Sequence, residues 1–376
     1  MGEHRAMLPR HIEASQISAL LDSLGEPQPD HIEPLQVTAE YHAIFILSYR
    51  SPKADWILRV SGAHIPEIKT RNEVGMMKTI SEKTTIPIPR VVHFDASTSN
   101  SLGHEYTILE RASGISVDKV YDTLSELTKH ALMQQLLEVL VQLDALQWNF
   151  IGGLAAQDDG SVVPGPVVDE TFWQTSDIAE FWGPAESVET LNVQGPFTTF
   201  VDYCNAHLEK YIHMIKTHES MRWLRDLIPR LQATITMATD RAIALNDTRL
   251  ILAHRDLHFA NIMFDPETER ISSVLDWEFS NIVPAARWNP AHAFLWNGQA
   301  GPRSLEEKAR LYADFERQCK QRQILVDYKF TPLQEAIQQV VTYVRALTEV
   351  CPRAQQKDSV AGWRRSAEEA LESLGV

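Results

Sequence analysis

The sequence predicts an α+β protein of two lobes, β-rich toward the N-terminus and helical beyond it. Three observations lead there. At roughly 150 residues per domain, 376 residues make about two domains or lobes. A composition of 44% hydrophobic and 23% charged residues is that of a globular chain, and excludes a disordered, collagen-like or disulfide-scaffold protein. The hydrophobic pattern also changes along the chain, from short apolar runs before Gly114 to helical spacing after it. We expect an N-terminal lobe over residues 1–111, with a leading helix, and a C-terminal lobe over 112–376.

The elements follow in order. Ile17, Leu20, Leu21 and Leu24 recur at helical spacing over residues 13–24, and Gly25 with Pro27 stops that helix. Residues 41–49 and 56–60 read as two strands joined by the turn Ser51-Pro52-Lys53. Residues 67–82 have helical character, ended by Ile86-Pro87-Ile88-Pro89, because proline lacks an N–H and restricts the residue before it. Two more strands are expected at 91–94 and 105–110. Residues 123–146 form a long helix whose apolar face carries Leu127, Leu132, Leu136, Leu137, Leu140, Leu143 and Leu146. The Gly-, Pro- and Trp-containing stretch 155–197 reads as irregular. Helices are expected at 200–218, 229–245, 304–322, 332–350 and 363–374.

Charge narrows the function classes. The balance is 35 − 50 = −15, and no Lys or Arg lies between Lys129 and Lys210, a stretch holding twelve acids. The rest of the chain is therefore nearly neutral, with 35 bases against 38 acids. Such a chain lacks the basic footprint that nucleic acid requires. Two readings of the acidic segment stay open: a solvated face, or an attractor for a cationic small molecule. Phe172, Trp173, Phe181 and Trp182 lie among Asp169, Glu170, Asp177 and Glu180, and are candidates either to be core residues under a long loop or to stack on a cation. No apolar run is long enough to span a bilayer, and the polar start Met1-Gly2-Glu3-His4-Arg5 does not resemble a secretory leader. The three scattered cysteines, Cys204, Cys319 and Cys351, fit neither a disulfide framework nor a zinc site. A cytoplasmic location is expected.

The chemistry concentrates after the apolar run Arg249-Leu250-Ile251-Leu252-Ala253. The loop His254-Arg255-Asp256-Leu257-His258-Phe259-Ala260-Asn261 follows, then a strand at 262–264, a turn, and a returning strand at 271–275 that delivers Asp276-Trp277-Glu278. A hairpin of that length brings Asp276 back beside Asp256 and Asn261. A carboxylate and an amide oxygen suit Mg²⁺ that also holds phosphates. A second carboxylate can accept a hydroxyl proton. This is the layout that phosphoryl transfer needs.

The pattern H-x-D-x-x-x-x-N, a hairpin and Asp-Trp-Glu resembles the aminoglycoside phosphotransferase and choline kinase branch of the protein-kinase-like fold, over residues 35–296. The resemblance implies Asp256 as catalytic base, Asn261 and Asp276 as Mg²⁺ ligands, and His254 as a brace for the loop. It implies Arg59 on the third strand as the phosphate-holding cation, paired with Glu73 of the next helix, where fungal-type members similarly carry Arg. It also implies a hinge, Glu110 to Ala112, whose backbone meets the adenine edge. The loop Val37-Thr38-Ala39-Glu40-Tyr41-His42, where the family has glycine, has none. The absence of G-x-G-x-x-G, D-F-G and A-P-E argues against a protein kinase. The implied function is transfer of the γ-phosphate of ATP, with GTP as the alternative donor, to a hydroxyl of a small, cationic, amine-bearing molecule. The competing reading is a kinase-like scaffold that binds a ligand or partner without transfer. The motifs identify neither the acceptor nor the oligomeric state.

Overall fold

The computed structural model describes residues 8–9, 11–35, 41–288, 301–325 and 327–376. The glycine-free segment Val37 to Glu40 therefore lies outside the described residues, as does the end of the resemblance at Trp296.

Helix α1 (Ala14–Leu24) opens the chain and closes on Gly25 in the left-handed conformation. Strands β1 (His31–Pro34), β2 (His42–Ser48) and β3 (Trp56–Ser61) follow, then α2 (Ile68–Lys83), β4 (Val91–Asp95) and β5 (Tyr106–Glu110). The five strands form one antiparallel sheet in the order β1-β2-β3-β5-β4. The edge strand β1 was not expected, since its four residues are too few and too exposed to show a period. Side chains alternate across a strand. On β3 this turns Trp56, Leu58 and Val60 toward Ile17, Leu20 and Leu21 of α1. Arg59 is thereby sent to the opposite face, toward α2. The direction of the candidate phosphate-holding cation is thus set by the apolar packing of its neighbours.

After the hinge, β6 (Ile115–Ser116) and α3 (Val117–Val120) lead to α4 (Glu126–Ala145), whose N-cap Ser125 accepts from the Thr128 N–H (3.1 Å). Leu132, Leu136, Leu137, Leu140 and Leu143 are buried on α4, whereas Leu127, in its first turn, is 78% exposed and lies off the expected apolar face. The stretch expected to be irregular contains a hairpin, β7 (Gly153–Ala156) with β8 (Val162–Gly165), and two short helices, α5 (Thr175–Phe181) and α6 (Val188–Leu191). Strands of four residues are too short for their alternation to stand out among glycines and prolines. Helices α7 (Phe200–Thr217), α8 (Ile228–Asp240) and α9 (Ala242–Leu245) come next. Strand β9 (Leu250–Ala253) then pairs with β12 (Asn281–Pro284), and β10 (Ile262–Asp265) with β11 (Arg270–Val274). Helices Pro302–Arg322, Pro332–Arg353 and Lys357–Leu374 complete the chain, the last two packing with α7 and α8 around the larger core. The outcome is the two-lobed, kinase-like α+β arrangement, with a β-rich N-terminal part and a helical C-terminal part. No helix among the described residues is long and apolar enough to cross a membrane. All three cysteines are free thiols.

Helix α2 carries the two lobes. Its face toward the C-terminal part packs on β7, and Asn72 joins three segments there. It donates to the carbonyls of Glu278 (3.1 Å) and Ser280 (3.0 Å) and accepts from the Leu154 N–H (3.0 Å). One turn on, Gly75 lies directly against β7, where an added Cβ would overlap the Leu154 carbonyl. In a free helix, Gly→Ala gains about 1 kcal/mol. Here the obstacle is backbone, which cannot swing aside, and overpacking costs about 1–3 kcal/mol. The steric term outweighs the propensity term, so Gly75→Ala should lower the melting temperature by several degrees in a circular dichroism melt. An unchanged or raised value would show that α2 and β7 are not closely docked.

Candidate active site

The loop between β9 and β10 and the loop between β11 and β12 emerge side by side, because the Leu275 N–H donates to the Asn261 carbonyl (2.8 Å). His254 bonds them a second time. Its Nδ1 accepts from the Asp256 N–H (3.2 Å) and its Nε2 donates to the Leu275 carbonyl (2.8 Å). That pattern requires the neutral ring, and burial pushes its pKa down to about 4. The ring packs 4.5 Å from the buried indole of Trp277, whose Nε1 donates to the Val274 carbonyl (3.0 Å). The aromatic at the centre of Asp-Trp-Glu therefore holds the loops together while the two acids beside it turn to the cleft.

Asp256 is half exposed. Asn261 Nδ2 donates to its carbonyl and to its Oδ2, both at 2.9 Å, and His258 Nε2 lies 3.3 Å from Oδ2. Burial works to raise the Asp256 pKa, but the bond and charge of His258, with the Asn261 bond, hold it below the ordinary aspartate value. The same contact raises the His258 pKa. With Nδ2 fixed on Asp256, Asn261 Oδ1 accepts no hydrogen bond from the described residues. Asp276 adopts a left-handed backbone (φ 65°), a conformation Asp tolerates better than most residues. Its Oδ1 accepts from Arg59 Nη2 (3.2 Å). Burial raises the Asp276 pKa, and Arg59 only partly offsets it.

Arg59 is the centre of a buried row of charge. Its Nη1 donates to Glu73 Oε1, while Nη2 lies 3.2 Å from His42 Nδ1. Burial works to discharge it, but Glu73, Asp276 and Glu278 keep its pKa above the ordinary value. Beside it, Lys69, 1% exposed, donates to Glu278 Oε2 (2.7 Å) and to His42 Nε2 (3.1 Å). Burial, with Arg59 and Lys69 on either side, holds His42 well below its ordinary value, so the ring is neutral.

The predicted residues thus fall into one cleft. Asp256 and Asn261 touch each other, Asp276 touches Arg59, and Arg59 touches Glu73. Asn261 Oδ1 and the Asp276 carboxylate are two hard oxygens at its mouth. They suit Mg²⁺, which takes one or two protein ligands and completes its shell with phosphate and water. At the hinge, Glu110 N–H is committed to the Arg90 carbonyl (2.9 Å) and the Glu110 carboxylate to Arg90 Nη2 (2.5 Å). Gly114 (φ 93°) sits where an added Cβ would overlap the Phe264 carbonyl, so the chain leaves the hinge against β10.

Sequence reasoning missed Lys69, Asn72 and His42. The available signal was helical spacing: 69, 72 and 73 share the α2 face from which Glu73 reaches Arg59. Of the two readings of the aromatics in the acidic segment, the structure supports core packing for three of the four. Phe172, Trp173 and Trp182 are buried, and the cation over Trp173 is the chain's own Arg353, 4.1 Å from the ring centroid. Arg353 also pairs with Asp177, which removes that acid from the free field.

The model of the phosphotransferase enzyme family APH matches residues 36–321. A subtelomeric hrmA-associated cluster protein of Aspergillus fumigatus, matched in two strains, is 23% identical over 333 residues. The match covers 74% of this chain and 64% of that protein, so the chain spans less than two thirds of the length of these relatives. Among solved structures, the gentamicin complex of APH(2")-IIa is 13% identical, covering 97% of each chain with a TM-score of 0.49. A ternary complex of a thermostable aminoglycoside phosphotransferase APH(4)-Ia with AMP-PNP and hygromycin B is 16% identical. It covers 96% of this chain and 99% of that one, with a TM-score of 0.47.

Two predictions follow from the buried charges. Removing one member of a buried pair costs about 3–5 kcal/mol, whereas replacing both by apolar groups is often neutral. Glu278→Leu should therefore destabilise the protein more than the double variant Lys69→Met/Glu278→Leu, read from urea midpoints. Costs that simply added would mean that the two groups do not depend on each other. The second concerns His258. Its folded pKa is raised, so its stabilisation is complete below the unfolded value of about 6.5 and is lost as pH rises through the folded one. Asp256, with its depressed pKa, contributes above its unfolded value of about 3.9. Asp256→Asn should thus bring the His258 imidazole pKa down in an NMR titration. No movement would mean that the two side chains do not interact.

Proposed function

The chain belongs to the phosphotransferase enzyme family APH, and on that premise we propose that it transfers the γ-phosphoryl group of ATP, with GTP as the alternative donor, to a hydroxyl of a small, amine-bearing molecule. The observation that carries the reading is the Asp256–Asn261 contact. One amide fixes the carboxylate on its nitrogen side and leaves its own oxygen without a hydrogen bond from the described residues. That separates a proton acceptor from the two oxygen donors, Asn261 Oδ1 and the Asp276 carboxylate, on adjacent loops.

In this reading Asp256, held ionised by His258, orients the acceptor hydroxyl and takes its proton. The hydroxyl oxygen bonds to the γ-phosphorus as the bond to the β–γ bridging oxygen breaks, and ADP leaves with that electron pair. Asn261 and Asp276 would hold Mg²⁺, which when bound would neutralise phosphate charge. Arg59 then exchanges its contact with Asp276 for the nucleotide phosphates, while Glu73 keeps the guanidinium from following. Because the Glu110 N–H is already taken, we assign the adenine-facing donor to the Ala112 N–H. The lobe division at Arg111/Ala112 is proposed on the same grounds, since the chain passes directly from there to β6 against β10. Glu170, exposed and without a cationic partner among the described residues, favours an amine on the acceptor.

The test uses γ-labelled ATP or GTP with Mg²⁺ and a panel of amino alcohols, hydroxy amino acids and aminoglycosides. Transfer to at least one acceptor should fall about 10²- to 10⁴-fold in Asp256→Asn, the range for loss of a general base. Nucleotide affinity in that variant should stay near wild type. Asp276→Ala should abolish the Mg²⁺ dependence of nucleotide binding in calorimetry. Undiminished transfer by Asp256→Asn would remove that residue from the mechanism. Nucleotide binding with no transfer to any acceptor would favour the scaffold reading.

A further inference from the structure

A cavity of about 250 Å³ is lined by Arg255, the neighbour of Asp256 in the chain, and bounded by residues 167–173, α7 and helix Pro332–Arg353. It is smaller than the roughly 300–1,000 Å³ of a drug-sized ligand pocket. Its wall carries three arginines, Arg255, Arg287 and Arg345, and three acids, Asp169, Glu170 and Glu349. Lys210 also reaches it but donates to the carbonyls of Glu189 (2.6 Å) and Thr190 (3.1 Å). With Lys210, four cations face three acids, so the site carries no excess of negative charge. A polycation gains little from such a field.

The balance is uneven in its pairing. Arg345 Nη1 lies 2.6 Å from Glu349, and Arg255 Nη2 lies 3.4 Å from Asp169. Arg287 has no carboxylate within ion-pair distance among the described residues. It stands over the Tyr203 ring, 5.3 Å from its centroid. Glu170 is likewise without a cation. Among the described residues, Arg287 and Glu170 thus remain without an ion-pair partner or a hydrogen bond, whereas the ammonium of Lys210 is held by carbonyls. A partly buried cation left unpaired is costly unless a ligand supplies the anion.

We infer that the acceptor is a zwitterionic alcohol, its carboxylate held by Arg287, its ammonium by Glu170 and its hydroxyl presented to Asp256. A single unpaired arginine calls for a monoanion, and the planar guanidinium fork matches a carboxylate. This rests on the phosphotransfer reading and narrows its substrate class to hydroxy amino acids, away from polycationic aminoglycosides.

The experiment measures binding and so is independent of turnover. Matched pairs that differ by the carboxylate alone, serine with ethanolamine and homoserine with 3-aminopropan-1-ol, are titrated by calorimetry, with gentamicin as the polycation. A charge-assisted bond of about 1.5–3 kcal/mol predicts roughly ten- to hundredfold tighter binding of the carboxylated member in at least one pair. Arg287→Gln should erase that difference. Arg287→Lys, which keeps the charge without the fork, should retain part of it, and decides the matter if the Gln variant does not fold. Equal affinity within both pairs, tightest binding by gentamicin, or no carboxylated probe bound at about 10 mM, a millimolar Kd being the weak limit for a specific site, would overturn the inference. Binding of a hydroxy amino acid without phosphorylation would uphold it while removing the kinase reading. Phosphorylation of amino alcohols bound as tightly as their carboxylated partners would do the reverse.

Discussion

Charge buried at the junction of the two lobes is the constraint from which the rest of the molecule follows. Arg59 and Lys69 are withdrawn from water, and each has to meet an anion. Glu73, one turn after Lys69 on α2, answers Arg59, and Glu278 answers Lys69. The neutral His42 lies between the two cations. This obliges α2 to lie with one face to the sheet and another to the loop after Trp277, and Asn72 then holds that loop by its backbone. The alternation of β3 meets the same requirement from the other side, since packing Trp56, Leu58 and Val60 beneath α1 leaves Arg59 facing α2. The loop after β11 is positioned by the same contact, since Asp276 shares the Arg59 guanidinium.

Much of this was legible in the sequence. The β2–β3 hairpin, the breaks at Gly25 and Pro87, and the loop from His254 to Asn261 with its returning strand all carry local signals, and local signals survive in one dimension. Asp256, Asn261 and Asp276 were legible for the same reason, since a short hairpin joins them. Arg59 and Glu73 could be paired because strand and helix are consecutive. The contacts that were not legible join distant segments. Lys69 reads as an ordinary helix lysine until Glu278 is brought to it. The four-residue strands β7 and β8 have no period long enough to see, and Arg287 stands out only when the space around it is known to lack a carboxylate.

The acidic stretch between Lys129 and Lys210 shows how far a linear charge count can mislead. Five of its twelve acids find arginines from elsewhere in the chain: Glu138 with Arg322, Asp144 with Arg249, Asp158 with Arg71, Asp169 with Arg255, and Asp177 with Arg353. Folding returns bases to a segment that has none. Of the seven others, Glu170 lines the cavity without a cationic partner among the described residues, as Arg287 does without a carboxylate. The discriminating property of the cavity is therefore which charges are left over, since the net sum is close to zero.

The Lys69–Glu278 pair also sets an order of events during synthesis. Its members are 209 residues apart, and at about 5–20 residues per second the ribosome takes roughly 10–40 s to travel from one to the other. Throughout that interval the sheet and α2 can assemble from sequence already made, yet the Lys69 ammonium lacks the carboxylate that it hydrogen-bonds in the finished fold. The nascent N-terminal lobe must keep that position wet, and its interior dries only when the segment after Trp277 leaves the exit tunnel. Closure of the first lobe is thereby timed by the arrival of the second.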